Sequence, residues 1–225
     1  MSKKIRVAIL DDHPSIVDGY RFRLEKSPDI EIVATMSYGE DVEPTLAEHP
    51  VDVLLMDVNV PTSSRNINPY PILHLVPKLL QCYPDMNILA ISMLAERGLI
   101  RAVVEAGVSG YLLKEDHVNI ENLVGVVRQV AGGGIQFSEK AELLLRGRSA
   151  LEALSPRQLE ALSLCLACPE ASLGEIAHRM AVADSTIRNL LANAYLKLDV
   201  HTRPAAVAKA RDLGLITSEP PRATY

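Results

Sequence analysis

Residues 53–57 read Val-Leu-Leu-Met-Asp, four consecutive apolar side chains that stop on a carboxylate. A strand with one wet face alternates apolar and polar residues, so a run that is apolar at every position belongs where both faces are covered. Similar runs lie on either side: Val7-Ala8-Ile9-Leu10 leads into Asp11-Asp12, and Ile88-Leu89-Ala90-Ile91 leads into Ser92. With Ile5–Leu10, Glu31–Met36, Val53–Asp57, Ile88–Ser92 and Gly110–Leu113 as strands and segments of helical period between them, residues 1–131 predict an α/β domain. Its core is a parallel five-stranded sheet with helices on both faces. Right-handed crossovers then bring the C-terminal end of every strand to one edge, where open α/β sheets bind ligands.

That edge carries chemistry. Asp11 and Asp12 follow the first strand and Asp57 ends the third, so three carboxylates are expected to meet. Close negative charges raise one another's pKa unless something neutralises them, and a hard dication such as Mg²⁺ does so through oxygen ligands. A carboxylate beside Mg²⁺ can attack phosphorus, because the metal offsets the repulsion between two anions. Ser92, closing the fourth strand, and Lys114, just beyond the fifth, supply a hydroxyl and a cation for phosphoryl oxygens, leaving Asp57 as the acceptor. His13 adjoins the acidic pair but is read as a helix-start residue, since Mg²⁺ prefers oxygen.

Gly132-Gly133-Gly134 breaks the alternation, and Lys140–Ser149 reads as a charged helical connector. From Leu154 onward only short helical stretches appear, with start signals at Ser155-Pro156, Ser172-x-x-Glu175, Asp184 or Ser185, and Thr202, and a stop at Gly214. The expected organisation is a domain at 1–131, a linker at 132–150, a small all-α domain at 151–217 and a tail at 218–225. Cys165 and Cys168 lie on what reads as one apolar helix face rather than in a metal or redox site. The N-terminal apolar run stops at acidic residues too early for a signal peptide, and a cytoplasmic, membrane-free location is expected. A net charge of −5 does not steer the chain to nucleic acid, so any DNA binding requires a local surface.

The strings LDDH, LLMDVNVP, ILAIS and GYLLK, in this order and on these strands, resemble the flavodoxin-like (βα)5 receiver domain of two-component response regulators. The string from LSPRQLEAL through SLGEIAHRM and DSTIRNLLANAYLKL to ARDLGLI resembles the LuxR-type helix-turn-helix of the NarL/FixJ family. The resemblance implies a DNA-binding transcription factor, not an enzyme, controlled by phosphorylation of Asp57. Asp11, Asp12, Asp57 and the backbone carbonyl of Asn59 would hold Mg²⁺. Ser92 and Lys114 would bind the phosphoryl group, and Tyr111 would be the switch aromatic that packs inward after phosphorylation. The implied partners are a sensor histidine kinase or small phosphodonor, double-stranded DNA, and a second copy of the chain.

In this resemblance Ser172–Met180 supports the recognition helix Asp184–Leu198, and Arg203–Leu213 contributes to dimerisation. Within the recognition helix, Ile187, Leu190, Leu191, Ala194 and Leu198 recur at core spacing. That leaves Arg188, Asn189, Ala192, Asn193 and Lys197 outward. Arg188, Asn189 and Asn193 are of the types that read base edges, while Ser185, Thr186 and Lys197 suit phosphates.

Two departures from the receiver pattern stand out. The loop Pro61–Pro71 is long and lacks glycine, and the next helix contains Pro77. The loop motivates an alternative in which the receiver serves dimerisation or ligand sensing without phosphorylation. A third reading, an aspartate-nucleophile phosphatase, calls for a second aspartate two residues after the nucleophile, where Asn59 stands.

Overall fold

The computed structural model describes residues 4–146 and 154–217. The end of the expected connector, including Ser149, and the tail Ser218–Tyr225 lie outside the described residues. The chain runs β1 (Ile5–Leu10), α1 (Pro14–Leu24), β2 (Ile30–Met36), α2 (Val42–Glu48), β3 (Val53–Met56), α3 (Ile72–Cys82), β4 (Asn87–Ser92), α4 (Arg97–Glu105), β5 (Gly110–Leu113), α5 (His117–Glu121) and α6 (Leu123–Ala131). Then follow β6 (Gln136–Phe137), α7 (Glu139–Arg146), α8 (Pro156–Ala167), α9 (Leu173–Arg179), α10 (Asp184–Leu198) and α11 (Arg203–Asp212).

All strand pairs are parallel, in the order β2-β1-β3-β4-β5-β6. The order reverses beside β1, so the crossovers on its two sides diverge and a crevice opens at its C-terminal end. The two-residue period of the strands divides the core. Val7, Ile9, Val53, Leu55, Leu89, Ile91 and Leu112 pack with Tyr20 and Leu24 of α1 and Val126, Val127 and Val130 of α6. Ala8, Leu10, Leu54, Met56, Ile88 and Ala90 pack on the other side with Leu46, Val76, Leu79, Ile100 and Val103. Each large apolar side chain buried this way contributes about 1.5–3 kcal/mol, which explains why the runs Val7–Leu10, Val53–Met56 and Ile88–Ile91 hold no polar residue.

A sixth strand corrects the expected five. Gly133 turns the chain at φ +82° after α6, and β6 pairs with β5 through Gly110↔Gln136 and Tyr111↔Phe137. The Ser138 N–H donates to the Tyr111 carbonyl at 3.1 Å. A side chain at Gly110 would collide with the Gln136 carbonyl, 2.1 Å from an added Cβ, so glycine there makes the pairing possible. Two residues after a glycine turn carry no readable period, which is why the strand escaped sequence analysis. The following α7 packs on α4 and β5 and fully buries Ala141. The first half of the expected linker is thus attached to the sheet.

The Pro61–Pro71 loop holds itself together. Pro61 and Pro69 form an antiparallel bridge, Thr62 N–H donates to Asn68 O at 2.9 Å, and Tyr70 N–H donates to Val60 O at 2.8 Å. The Tyr70 ring lies on Gly39, where an added Cβ would stand 2.0 Å from the ring. Burial pushes the Tyr70 hydroxyl up to about 12. Pro77 is accommodated inside α3 and removes one backbone donor from that helix.

In the helical domain, Ser155 with Gln158 and Ser172 with Glu175 form capping boxes, and the Thr202 hydroxyl accepts from Ala205 N–H. The start of α10 differs from expectation. Ala183 occupies the N-cap without a side-chain bond, and Asp184 and Ser185 lie in the first turn. There the Asp184 carboxylate still favours the helix through its dipole. Gly214, at φ +60°, follows α11 as expected.

This domain docks on the α3–α4 side of the sheet. The Asn66 amide donates to the Ala167 carbonyl at 3.2 Å, His74 Nδ1 lies 2.7 Å from Glu160 Oε1, and Leu99 N–H donates to Gly214 O at 3.2 Å. Replacing Gly39 with alanine forces Tyr70 out of its seat. The variant is expected to lose about 1–3 kcal/mol of stability, measured as a lower urea midpoint at unchanged slope.

Candidate functional site

The crevice at the end of β1 gathers the expected acidic residues. Asp11, Asp12 and Asp57 are at most 5% exposed, although carboxylates are seldom buried without a partner. Their placement follows from the sheet: Asp57 N–H donates to Leu10 O and Asp11 N–H to Met36 O, which registers the ends of β3, β1 and β2. Lys114, one residue past β5, reaches back across the edge. Its ammonium lies 2.6 Å from Asp57 Oδ2 and 2.7 Å from Asp11 Oδ2. The sheet is what lets Lys114 span this edge, since Lys114 N–H is held by the Ser92 carbonyl.

Three carboxylates against one ammonium leave the group net negative, and like charges so close disfavour one another's ionised forms. Burial is the largest influence on Asp57 and raises it; Lys114 opposes and Asp11 adds to the rise. Burial also raises Asp12, with His13 opposing and Asp57 and Asp11 adding. For Lys114 burial works downward, but Asp57 and Asp11 outweigh it and the ammonium is held above its ordinary value.

Ser92 and Tyr111 complete the edge. The Ser92 hydroxyl oxygen accepts from Leu94 N–H at 3.1 Å. Tyr111 is fully buried and donates to the Leu94 carbonyl at 2.8 Å. Inward packing of Tyr111 was expected as a response to phosphorylation; the ring is already inward in this structure, because the Leu94 carbonyl satisfies its hydroxyl there. Asn59 N–H donates to Asp57 Oδ1 at 3.0 Å, turning the chain tightly around the carboxylate.

The donor set fits a divalent cation. Asp11, Asp12, His13 and Asp57 each offer a ligand atom within 4.8 Å of the others, and no second such group exists among the described residues. Asn59 Oδ1 is buried without a hydrogen bond, as a polar atom that meets an ion would be, and His13 Nδ1 is buried against Asp12 Oδ1 at 3.0 Å. Sequence reasoning assigned His13 to the helix start rather than to the metal set. Its backbone does open α1, accepting from Ile16 and Val17 N–H, but its side chain caps nothing and turns to the acidic pair.

The helical domain presents a second surface. Ser185, Thr186, Arg188, Asn189, Ala192 and Asn193 of α10 are exposed, while Ile187, Leu191, Ala194 and Leu198 are buried. Leu190 is half-buried. Lys197 donates to Gln158 Oε1 at 3.2 Å and so is turned partly towards α8. Leu196, 76% exposed, adds an apolar residue that the core-spacing argument did not place on this face. Burial pushes the Cys165 thiol up to about 11, which suits a packing residue and not a reactive thiolate.

In metal-free buffer Asp57→Asn is expected to unfold at a higher urea concentration than the parent at pH 7. The Asp57 pKa is raised in the folded state, so the folded protein holds the proton longer than the unfolded chain, and stability falls as pH rises through that interval. The two unfolding midpoints should converge as pH approaches ~4, where the carboxyl is protonated in both states. Equal midpoints at pH 7 would contradict the burial penalty.

Residues 7–128 match the family model described as the response regulator receiver domain, and residues 150–199 match that of sigma-70, region 4. The chain is 27% identical to the transcriptional regulatory protein DegU of Brevibacillus brevis, over 92% of this chain and 93% of that one. It is 29% identical to the transcriptional regulatory protein MctR of Rhizobium johnstonii, over 95% and 96%. In fold it is similar to RcsB from Salmonella enterica serovar Typhimurium, solved bound to a promoter in the presence of a phosphomimetic. That likeness has a TM-score of 0.65 at 21% identity, over 92% of this chain and 98% of the other. The acidic strand edge, the parallel sheet and the helical domain behind it therefore have one common explanation: the chain belongs to the response regulators, with their receiver domain followed by a helix-turn-helix of the NarL/FixJ type.

Proposed function

We propose that Asp57 is the phosphoacceptor of a transcription regulator whose donor is a sensor histidine kinase or a small phosphodonor. One observation carries the reading: Lys114 joins Asp11 and Asp57 at the rim where β1, β3 and β5 end. An Asp57 carboxylate oxygen attacks the phosphorus of the donor in line. The bond from phosphorus to the donor's nitrogen or oxygen breaks, and the leaving group keeps the electron pair and is protonated from solvent. Lys114 then turns from its carboxylates to a phosphoryl oxygen, and the Ser92 hydroxyl, whose hydrogen is not committed to Leu94, donates to another. Asp11, Asp12, Asp57 and the Asn59 carbonyl would hold Mg²⁺, which supplies positive charge against the incoming phosphoryl oxygens.

For the output, α10 would lie in the major groove of double-stranded DNA. Arg188, Asn189 and Asn193 would face base edges, and Ser185 and Thr186 would face phosphates at the helix start, joined by Lys197 once it leaves Gln158. The helical domain carries no net charge to speak of, so two copies on paired half-sites would supply the affinity that one lacks. We assign residues 1–131 to the receiver, 132–150 to the connection, 151–217 to the DNA-binding domain and 218–225 to a tail. No helix among the described residues is long and apolar enough to cross a membrane. We assign the chain to the cytoplasm, as a regulator without catalytic turnover of its own.

A second reading has an observation in its favour. Tyr111 is already inward and the Pro61–Pro71 loop already bonds Ala167, an arrangement that a regulator independent of phosphorylation would share. Incubation with Mg²⁺ and a small phosphodonor separates the two by intact mass. A single adduct of about 80 Da on the wild type and none on Asp57→Asn is expected; its absence from the wild type selects the second reading.

On DNA, Arg188→Ala in the full chain is expected to weaken binding to a selected site by about 1–3 kcal/mol and to relax its base preference. Lys197→Ala should weaken all sequences alike and shallow the salt dependence. Gel-shift titrations at several salt concentrations measure both.

A further inference from the structure

His13 stands beside the acidic pair in a way that neither helix capping nor oxygen-only Mg²⁺ coordination accounts for. Its Nδ1, a buried atom, lies 3.0 Å from Asp12 Oδ1 and 3.4 Å from Asp11 Oδ1, contacts that are an ion pair only when the ring is protonated. Lone-pair atoms at this spacing repel unless a cation or a shared proton lies among them. A six-coordinate ion with bonds of about 2.1 Å keeps adjacent ligands about 3 Å apart, the separation found here between imidazole nitrogen and carboxylate oxygen. The side chain is 42% exposed, so the ring can present one nitrogen to the pocket and leave the other to water. Imidazole is a weak partner for Mg²⁺ and a good one for cobalt, nickel and zinc dications.

We propose that His13 is a metal ligand which biases the acidic pocket towards borderline transition-metal dications over Mg²⁺. This rests on the reading of the pocket as a divalent-cation site and adds a nitrogen to its oxygen set. Coordination through Nδ1 would complete a mixed set with Asp12 and Asp57 on one side of the crevice, while Asp11 remains within reach of Lys114.

The test titrates the untagged full chain with Co²⁺ and, separately, with Mg²⁺ by calorimetry, for the wild type, His13→Asn and His13→Ala. Asparagine is a good helix N-cap, so His13→Asn leaves the start of α1 intact; a thermal melt of each variant verifies folding. Proton NMR of the Co²⁺ form reads the ligand directly, because a coordinated imidazole gives strongly shifted ring resonances. The expected result is a Co²⁺-over-Mg²⁺ preference at least tenfold larger in the wild type than in either folded variant, with shifted ring signals in the wild type only. An unchanged preference, or no His13-dependent ring signal, overturns the assignment of His13 while Mg²⁺ binding upholds the pocket. Failure of both ions to bind the wild type overturns the pocket reading and this inference together.

Discussion

Three carboxylates meet at the rim of the sheet around a single ammonium that pairs with two of them, Asp11 and Asp57, and this imbalance of charge governs the molecule. Charges seldom survive burial unpaired, yet Asp11, Asp12 and Asp57 are packed at the ends of β1 and β3, directly after the apolar runs Val7–Leu10 and Val53–Met56. Lys114 compensates part of the excess, and the remaining negative charge is what makes the crevice receptive to a dication. A better-neutralised cluster would be more stable and less reactive. The strand order places the deficit: only at the reversal beside β1 do the ends of three strands converge without a helix closing over them.

The fold was legible because the central strands carry apolar runs, Val7–Leu10, Val53–Met56 and Ile88–Ile91, that end on chemically distinctive residues. Asp57, Ser92 and Lys114 are far apart in sequence, and the single rule that parallel strands end on one edge brings them together. What escaped reading lacked that kind of signal. Gln136 and Phe137 are too few to show a period, and their pairing depends on the missing side chain of Gly110, a tertiary fit invisible along the chain. His13 was assigned to the helix start because Mg²⁺ prefers oxygen; its backbone does serve that role, while the direction of its ring depends on two neighbouring side chains. On α10, core spacing identified the buried face well, while Lys197 was drawn back towards Gln158 by a helix that periodicity alone cannot place beside it.

The unusual Pro61–Pro71 segment is less a disordered insertion than a small folded unit. Thr62 and Asn68, and Ser63 and Asn66, bond within it, the Pro61 and Thr62 carbonyls accept from Gly39 and Glu40 N–H, Tyr70 packs on Gly39, and Asn66 extends it to the helical domain. With His74 and the first turn of α4 making further contacts, the docking surface spans the atypical part of the receiver and the helix that follows Ser92. The exposed face of α10 lies outside this surface, so docking as such does not cover the residues that would meet a nucleic acid.

β6 gives the pairing of the two halves a further property. Because Ser138 is tied to the peptide of Tyr111 and α7 begins at the next residue, the path from the aromatic ring to the connector contains almost no slack. A free tether would leave the start of α7 independent of the sheet; a two-residue splice fixes its first turn relative to β5, as a weld fixes a bracket.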